Sequence, residues 1–126
     1  MKELNITLSW SYRLEKEFTT AYLKALKNKG FFCYKIPDGW VWIKPYDAIV
    51  VTNTWTYHIE LKTIDSDIFQ ISRLRPNQYT SLKRIYKLWW NALVIVHKSY
   101  TNLYKIIPFG VILKCPREDS IQLVLA

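Results

Sequence analysis

The stretch Tyr46-Asp47-Ala48-Ile49-Val50-Val51-Thr52-Asn53-Thr54-Trp55-Thr56-Tyr57-His58-Ile59-Glu60-Leu61-Lys62 reads as two strands and a turn. Residues 46–52 are largely β-branched or apolar, residues 57–62 alternate apolar and polar, and Asn53-Thr54 lies between them. A two-residue loop at Asn53-Thr54 sets Thr52 opposite Trp55 and, counting outward, Asp47 opposite Glu60. Opposed residues share one side of a sheet with Cβ atoms about 5 Å apart, so two carboxylates placed this way repel unless a cation lies between them. Alternation puts His58, Glu60 and Lys62 on that same side, and Tyr57, Ile59 and Leu61 on the other.

Two carboxylates with waters suit Mg²⁺ or Mn²⁺, and a neighbouring ammonium can orient a water or stabilise charge developing at phosphorus. Such a set has the parts for hydrolysing a phosphodiester. The rival reading is an edge hairpin with a polar, solvated outer face, which is the ordinary meaning of a lone Glu-x-Lys. Asp47 separates the two, because a solvated face gains nothing by pairing two acids.

The chain has 126 residues, enough for one domain with a real core and too few for two. No apolar run is long enough to span a bilayer, and Met1-Lys2-Glu3-Leu4-Asn5 opens no secretory signal, so a cytoplasmic protein is expected. Cys33 and Cys115 are too few for a disulfide scaffold or a zinc cluster and read as buried thiols. Eighteen Lys and Arg against ten Asp and Glu give a net charge of +8, which favours a polyanionic partner, nucleic acid by default. A membrane surface fits the charge alone, but no basic amphipathic helix stands out. Six Trp and nine Tyr exceed what the interior needs. Subunit contact or base stacking would use the surplus, and Trp89-Trp90 cannot both face one core, since adjacent helix positions diverge by about 100°.

Outward from the hairpin, the spacing of Leu14, Phe18, Ala21, Tyr22 and Ala25 predicts a helix from about Tyr12 to Lys29, with Ser9 or Ser11 as cap and Gly30 as stop. Phe31 to Ile36 reads as a strand, Pro37-Asp38-Gly39 as a turn, and Trp40 to Ile43 as a short aromatic segment. Thr63 to Arg75 reads as a loop with a turn of structure around Ile68-Phe69-Gln70-Ile71. Pro76 suits the start of a second helix with Leu82, Ile85 and Trp89 as its core stripe. Gln78 heads that stripe, either as a helix-start side chain or aimed at the acidic cluster. Strands at Ala92 to His97, Leu103 to Ile107 and Ile121 to Leu125 follow, with a short apolar segment at Val111 to Leu113. The order is that of a mixed α/β layer with helices covering a central sheet. His58 shares the acidic face and could touch metal or phosphate, but a lone strand histidine reads first as an ordinary surface or packing residue. His97 ends a buried strand without an apparent partner, and Asp65 and Asp67 read as loop formers.

With these residues placed, the chain resembles the PD-(D/E)xK nuclease superfamily, most closely the archaeal-type Holliday junction resolvases and their viral relatives. Glu15-Lys16-Glu17-Phe18 is similar to the Glu-Arg-Glu-Leu of that family's first helix. Gly30-Phe31 through Lys35-Ile36-Pro37 resembles its Gly-Phe and a strand ending in Arg-Ile-Pro. Asp47-Ala48-Ile49-Val50 resembles its Pro-Asp-Ile, Ile59-Glu60-Leu61-Lys62-Thr63 its Ile-Glu-x-Lys-Ser, and Arg75-Pro76-Asn77-Gln78 its Arg-Arg-Asp-Gln. Tyr46 departs from the family's Pro, and the first helix is about one turn longer.

The resemblance implies a restriction-endonuclease-like α/β fold with an αβββαβ core, a mixed central sheet flanked by helices. It implies a Mg²⁺- or Mn²⁺-dependent endonuclease acting on branched DNA as a homodimer, because resolving a two-fold junction needs two matched sites. Asp47 and Glu60 would hold the metal with help from a first-helix acid. Periodicity leaves Glu15 and Glu17 both open, flanking the apolar stripe on opposite sides, and the motif match favours Glu15. Lys62 would orient or activate the attacking water, and Gln78 would support the site. Lys35, Lys44, Arg73, Arg75, Lys83 and Arg84 would contact phosphates rather than bases. A less selective repair or restriction nuclease, and a non-catalytic nucleic-acid-binding protein, are the alternatives.

Overall fold

The hairpin forms in the predicted register: β2 (Ala48–Val51) pairs antiparallel with β3 (Thr56–Ile64), Val51 opposite Thr56 and Ala48 opposite Ile59. The fold is that of a computed structural model, which describes residues 1–38 and 44–124. The segment expected at Trp40 to Ile43, together with Gly39 and Leu125, lies outside the described residues.

β1 (Phe32–Lys35) pairs antiparallel with β2, and β3 pairs in parallel with β5 (Ala92–Lys98). β6 (Tyr104–Pro108) closes the sheet antiparallel to β5, giving the order β1-β2-β3-β5-β6. A parallel pair needs a crossover, and α2 (Pro76–Trp89) supplies it. β3 is therefore central, which removes the edge-hairpin reading: both of its faces are covered. Tyr57, Ile59 and Leu61 join Ala48, Val50 and Leu93 in a core with Phe18, Tyr22 and Leu26 of α1 (Glu15–Asn28). The other face carries Val94 and Val96, which pack with Leu82 of α2 and with Phe109 and Ile112 of a short α3 (Phe109–Leu113). At roughly 25 cal/mol per Å² of apolar surface removed from water, these two cores hold the layers together.

Several boundaries differ from expectation. Ser9 and Ser11 do not cap α1. The Tyr12 N–H donates to Thr101 O at 3.1 Å and Tyr12 O accepts from the Tyr100 N–H at 2.8 Å, so this stretch pairs with the β5–β6 turn and the helix starts only at Glu15. Leu14 is accordingly exposed, and Thr19, Leu23 and Leu26 complete the buried stripe. Gly30 does end the helix, at φ 94°, with its N–H on Lys27 O at 2.9 Å.

The expected loop from Thr63 to Arg75 is more ordered than its composition implies. β3 runs on to Ile64, β4 (Ile68–Gln70) pairs with β7 (Ser120–Gln122) as a second sheet, and a single 3₁₀ turn covers Ile71–Arg73. Three-residue strands carry no readable period, which is why β4 was hidden. The Val111 to Leu113 segment is helical, within α3. Trp89 is not core: with Leu88 and Trp90 it is about 70% exposed, because the last turn of α2 passes beyond the packed face. Among the described residues no helix is long and apolar enough to cross a membrane. Cys33 is buried, while Cys115 is only half-buried.

Candidate active site

Asp47 stands one step beyond the last paired residues of the hairpin, where β2 peels away from β3. Its own N–H donates to Ile59 O at 3.0 Å and its carbonyl accepts from the Ile36 N–H at 2.8 Å, so the backbone is held on both sides. The departure of β2 would orphan the Leu61 N–H, and Asp47 Oδ2 accepts it at 2.9 Å. A side chain thus completes the ladder and points the carboxylate along β3 toward Glu60.

Glu60 and Lys62 lie on the α2 side of β3, under the first turn of that helix. The Glu60 side chain is 2% exposed; its Oε2 accepts from Gln78 Nε2 at 3.0 Å and lies 3.4 Å from Lys62 Nζ. Its Oε1 is buried with no hydrogen-bond partner. Burial and the neighbouring Asp47 carboxylate push the Glu60 pKa up to about 9, against the opposing pull of Lys62. Gln78 serves both expected roles at once, since its Oε1 also accepts the Arg75 N–H at 3.0 Å at the start of α2.

The first-helix acids are separated by their hydrogen bonds. Glu17 Oε1 turns back to accept the Leu14 N–H at 3.1 Å, ordinary helix-start work. Glu15 Oε1 accepts the Thr63 N–H at 2.8 Å, beside Lys62, and its charge is a lesser cause of the Glu60 shift. Glu15 does not join Asp47 and Glu60 in a three-ligand group; among the described residues no three His, Cys, Asp or Glu side chains form one. The reason is that Thr63 holds the Glu15 carboxylate one residue beyond Lys62.

Mg²⁺ characteristically binds one or two carboxylates and keeps its remaining positions for waters and phosphate oxygens. Asp47 and Glu60 match that requirement. Glu60 Oε1, which no protein donor reaches, and the neighbouring Asp47 carboxylate together offer the hard oxygens that such an ion takes.

The expected phosphate contacts fall into two sets. Lys83 and Arg84 are exposed on α2, and Arg75 is exposed just before it. Arg73 Nη2 donates to Thr63 O at 3.3 Å, close to the acids. Lys35 pairs with Asp38 at 3.3 Å. Lys44 differs from a free surface cation: its ammonium is 2.6 Å from Asp38 Oδ1 and 2.9 Å from Asp47 Oδ1, with the side chain 19% exposed. Those bonds outweigh the penalty of burial and raise its pKa, and the Asp38 pKa falls in return. Nothing in the sequence pattern marked this bridge.

His58 meets Tyr46 edge-on, ring centroids 5.4 Å apart, and burial lowers its pKa. His97, expected without a partner, has four: Thr63 Oγ1 at 3.0 Å on Nδ1, Thr101 O at 2.7 Å on Nε2, the Phe18 ring stacked at 4.2 Å and the Tyr12 ring edge-on at 6.3 Å. Asp67 pairs with Lys98 at 2.7 Å.

The fold is similar to that of the Holliday junction resolvase of Archaeoglobus fulgidus, an archaeal hyperthermophile. The TM-score is 0.66 at 16% identity, with 85% of this chain and 87% of that chain covered. The likeness expected from the motifs is therefore shown at the level of fold, a mixed five-stranded sheet flanked by helices. No family profile matches the sequence, and no curated protein matches it.

Proposed function

We propose that this chain is a divalent-metal-dependent endonuclease that resolves four-way DNA junctions as a homodimer in the cytoplasm. The observation that carries the reading is Glu60, a buried carboxylate with one unpartnered oxygen, set beside Asp47 and Lys62 on a resolvase-like fold.

Asp47 and Glu60 would hold Mg²⁺ or Mn²⁺, with Glu15 at the margin of the site. Bound there, the ion supplies Lewis-acid polarisation and an acidified water. The chain's own groups do the rest. Gln78 fixes the Glu60 carboxylate through one amide hydrogen bond. Lys62, its side chain only 10% exposed, sets its amine 3.4 Å from Glu60 Oε2, where it would offset negative charge growing on the phosphoryl oxygens and orient a nucleophilic water. Arg73, Arg75, Lys83 and Arg84 supply sequence-independent phosphate contacts, with Lys35 beside Asp38 as a further cation. Exposed Leu88, Trp89 and Trp90, and Trp55 at the hairpin tip, provide apolar area for a second copy.

Asp47→Asn and Glu60→Gln should each lower Mg²⁺-dependent cleavage of a mobile four-way junction by about a thousand-fold or more, with junction binding retained. Wild-type cutting by either variant removes the site assignment. Equal cutting of linear duplex by the native protein would replace junction selectivity with a general nuclease. No nicked product after long incubation would leave a binding protein. Light scattering of the purified chain reads the dimer.

A further inference from the structure

Both oxygens of Asp47 are already engaged. Oδ2 accepts the Leu61 N–H at 2.9 Å, and Oδ1 faces the Lys44 ammonium at 2.9 Å. Each oxygen keeps a second lone pair, and a divalent ion that Asp47 shares with Glu60 through Oδ1 meets a positive charge already there. That charge has somewhere else to go. Lys44 Nζ is also 2.6 Å from Asp38 Oδ1, a carboxylate whose side chain is 73% exposed. The main chain beneath it is tethered, since Asn77 Nδ2 donates to Lys44 O at 2.8 Å. Moving the ammonium off Asp47 therefore needs only side-chain rotation.

We infer that Lys44 is the resident cation of the carboxylate site, holding Asp47 while no divalent ion is bound and yielding it to the ion by passing to Asp38. The inference rests on the metal-site reading above and adds a positioning residue to it. Without Lys44, Asp47 and the buried Glu60 would face each other with Lys62 as the one cation contacting either of them among the described residues. With it, Asp47 stays aligned along β3, and metal binding becomes an exchange of cations. The Lys44–Asp47 contact then subtracts from metal affinity by thermodynamic linkage.

The test is Mn²⁺ titrated calorimetrically into the full chain, with thermal melts confirming that each variant is folded. Lys44→Met should bind Mn²⁺ more tightly than wild type, by about 5- to 30-fold for a coupling of this kind. Lys44→Arg restores the competing charge and should fall back to within about 3-fold of wild type. Asp38→Asn removes the receiving carboxylate and should weaken binding. Lys24→Met removes an exposed cation of α1 that touches neither Asp38 nor Asp47 and should change affinity little. Unchanged or weaker binding by Lys44→Met overturns the inference, as does equal tightening by Lys24→Met, which would reduce the effect to net charge. If the wild type binds Mn²⁺ and Lys44→Met gains nothing, only this inference falls. If no variant binds Mn²⁺, the metal-site reading falls with it.

Discussion

Gln78 Nε2 donates to Glu60 Oε2 at 3.0 Å while Gln78 Oε1 accepts the Arg75 N–H at 3.0 Å. A backbone N–H can only donate, which assigns the amide oxygen to Arg75 and turns the amide NH₂ toward the carboxylate. One side chain thus joins the first turn of α2 to the central strand. Replacing it with Ala leaves the Arg75 N–H and a buried carboxylate oxygen each short of a partner. Gln78→Ala should cost about 1–3 kcal/mol of stability by urea unfolding and weaken Mn²⁺ binding about 10- to 100-fold. Unaltered metal binding would reduce Gln78 to a cap.

Glu60 makes stability depend on pH. Its carboxyl titrates near 9 in the fold, against an ordinary value of 4.5, so the folded state holds the proton more tightly. The associated stability is fully present below 4.5 and is lost as pH rises through about 9. In EDTA, the melting temperature of the wild type should fall relative to that of Glu60→Gln as pH is raised across this window. Parallel profiles would mean that the carboxylate is not buried as described. Metal entry at neutral pH should also release a proton from Glu60, read by calorimetry in buffers of different ionisation enthalpy.

Glu15 and Glu17 should part company experimentally. Glu17→Ala removes the acceptor of the Leu14 N–H and should cost about 0.5–1 kcal/mol of stability with cleavage retained. Glu15→Gln keeps an oxygen for the Thr63 N–H and should leave the melting temperature nearly unchanged while lowering cleavage at least about ten-fold. The reverse pattern would transfer the role to Glu17.

His97 is fully buried, and its two ring nitrogens have different jobs. Thr101 O only accepts, so Nε2 carries the hydrogen and Nδ1 accepts from the Thr63 hydroxyl. His97→Phe keeps the stack on Phe18 but leaves the Thr63 hydroxyl without its ring acceptor and Thr101 O with the Tyr12 N–H alone, which should cost about 1–3 kcal/mol. A loss below about 0.5 kcal/mol by urea unfolding would show that water replaces both bonds.

Local chemistry wrote a large part of this molecule. The turn residues Asn53-Thr54 and the flanking alternation set the hairpin register, which placed Glu60 and Lys62 on one face and aimed Asp47 at them. Gly30 and Pro76 marked a helix end and a helix start as their backbone preferences require. These features depend on neighbours a few residues away, and side-chain period and turn geometry report them.

Packing across long sequence separations decided the remainder. The Glu60 carboxyl is perturbed because α2 lies over it, and Glu15 is distinguished from Glu17 because β3 presents the Thr63 N–H to one and not the other. The pairing of β4 with β7 and the contacts of His97 with Thr63 and Phe18 likewise arise between segments whose local patterns are silent. Burial and charge proximity belong to the assembled layers, so no window of residues along the chain carries them.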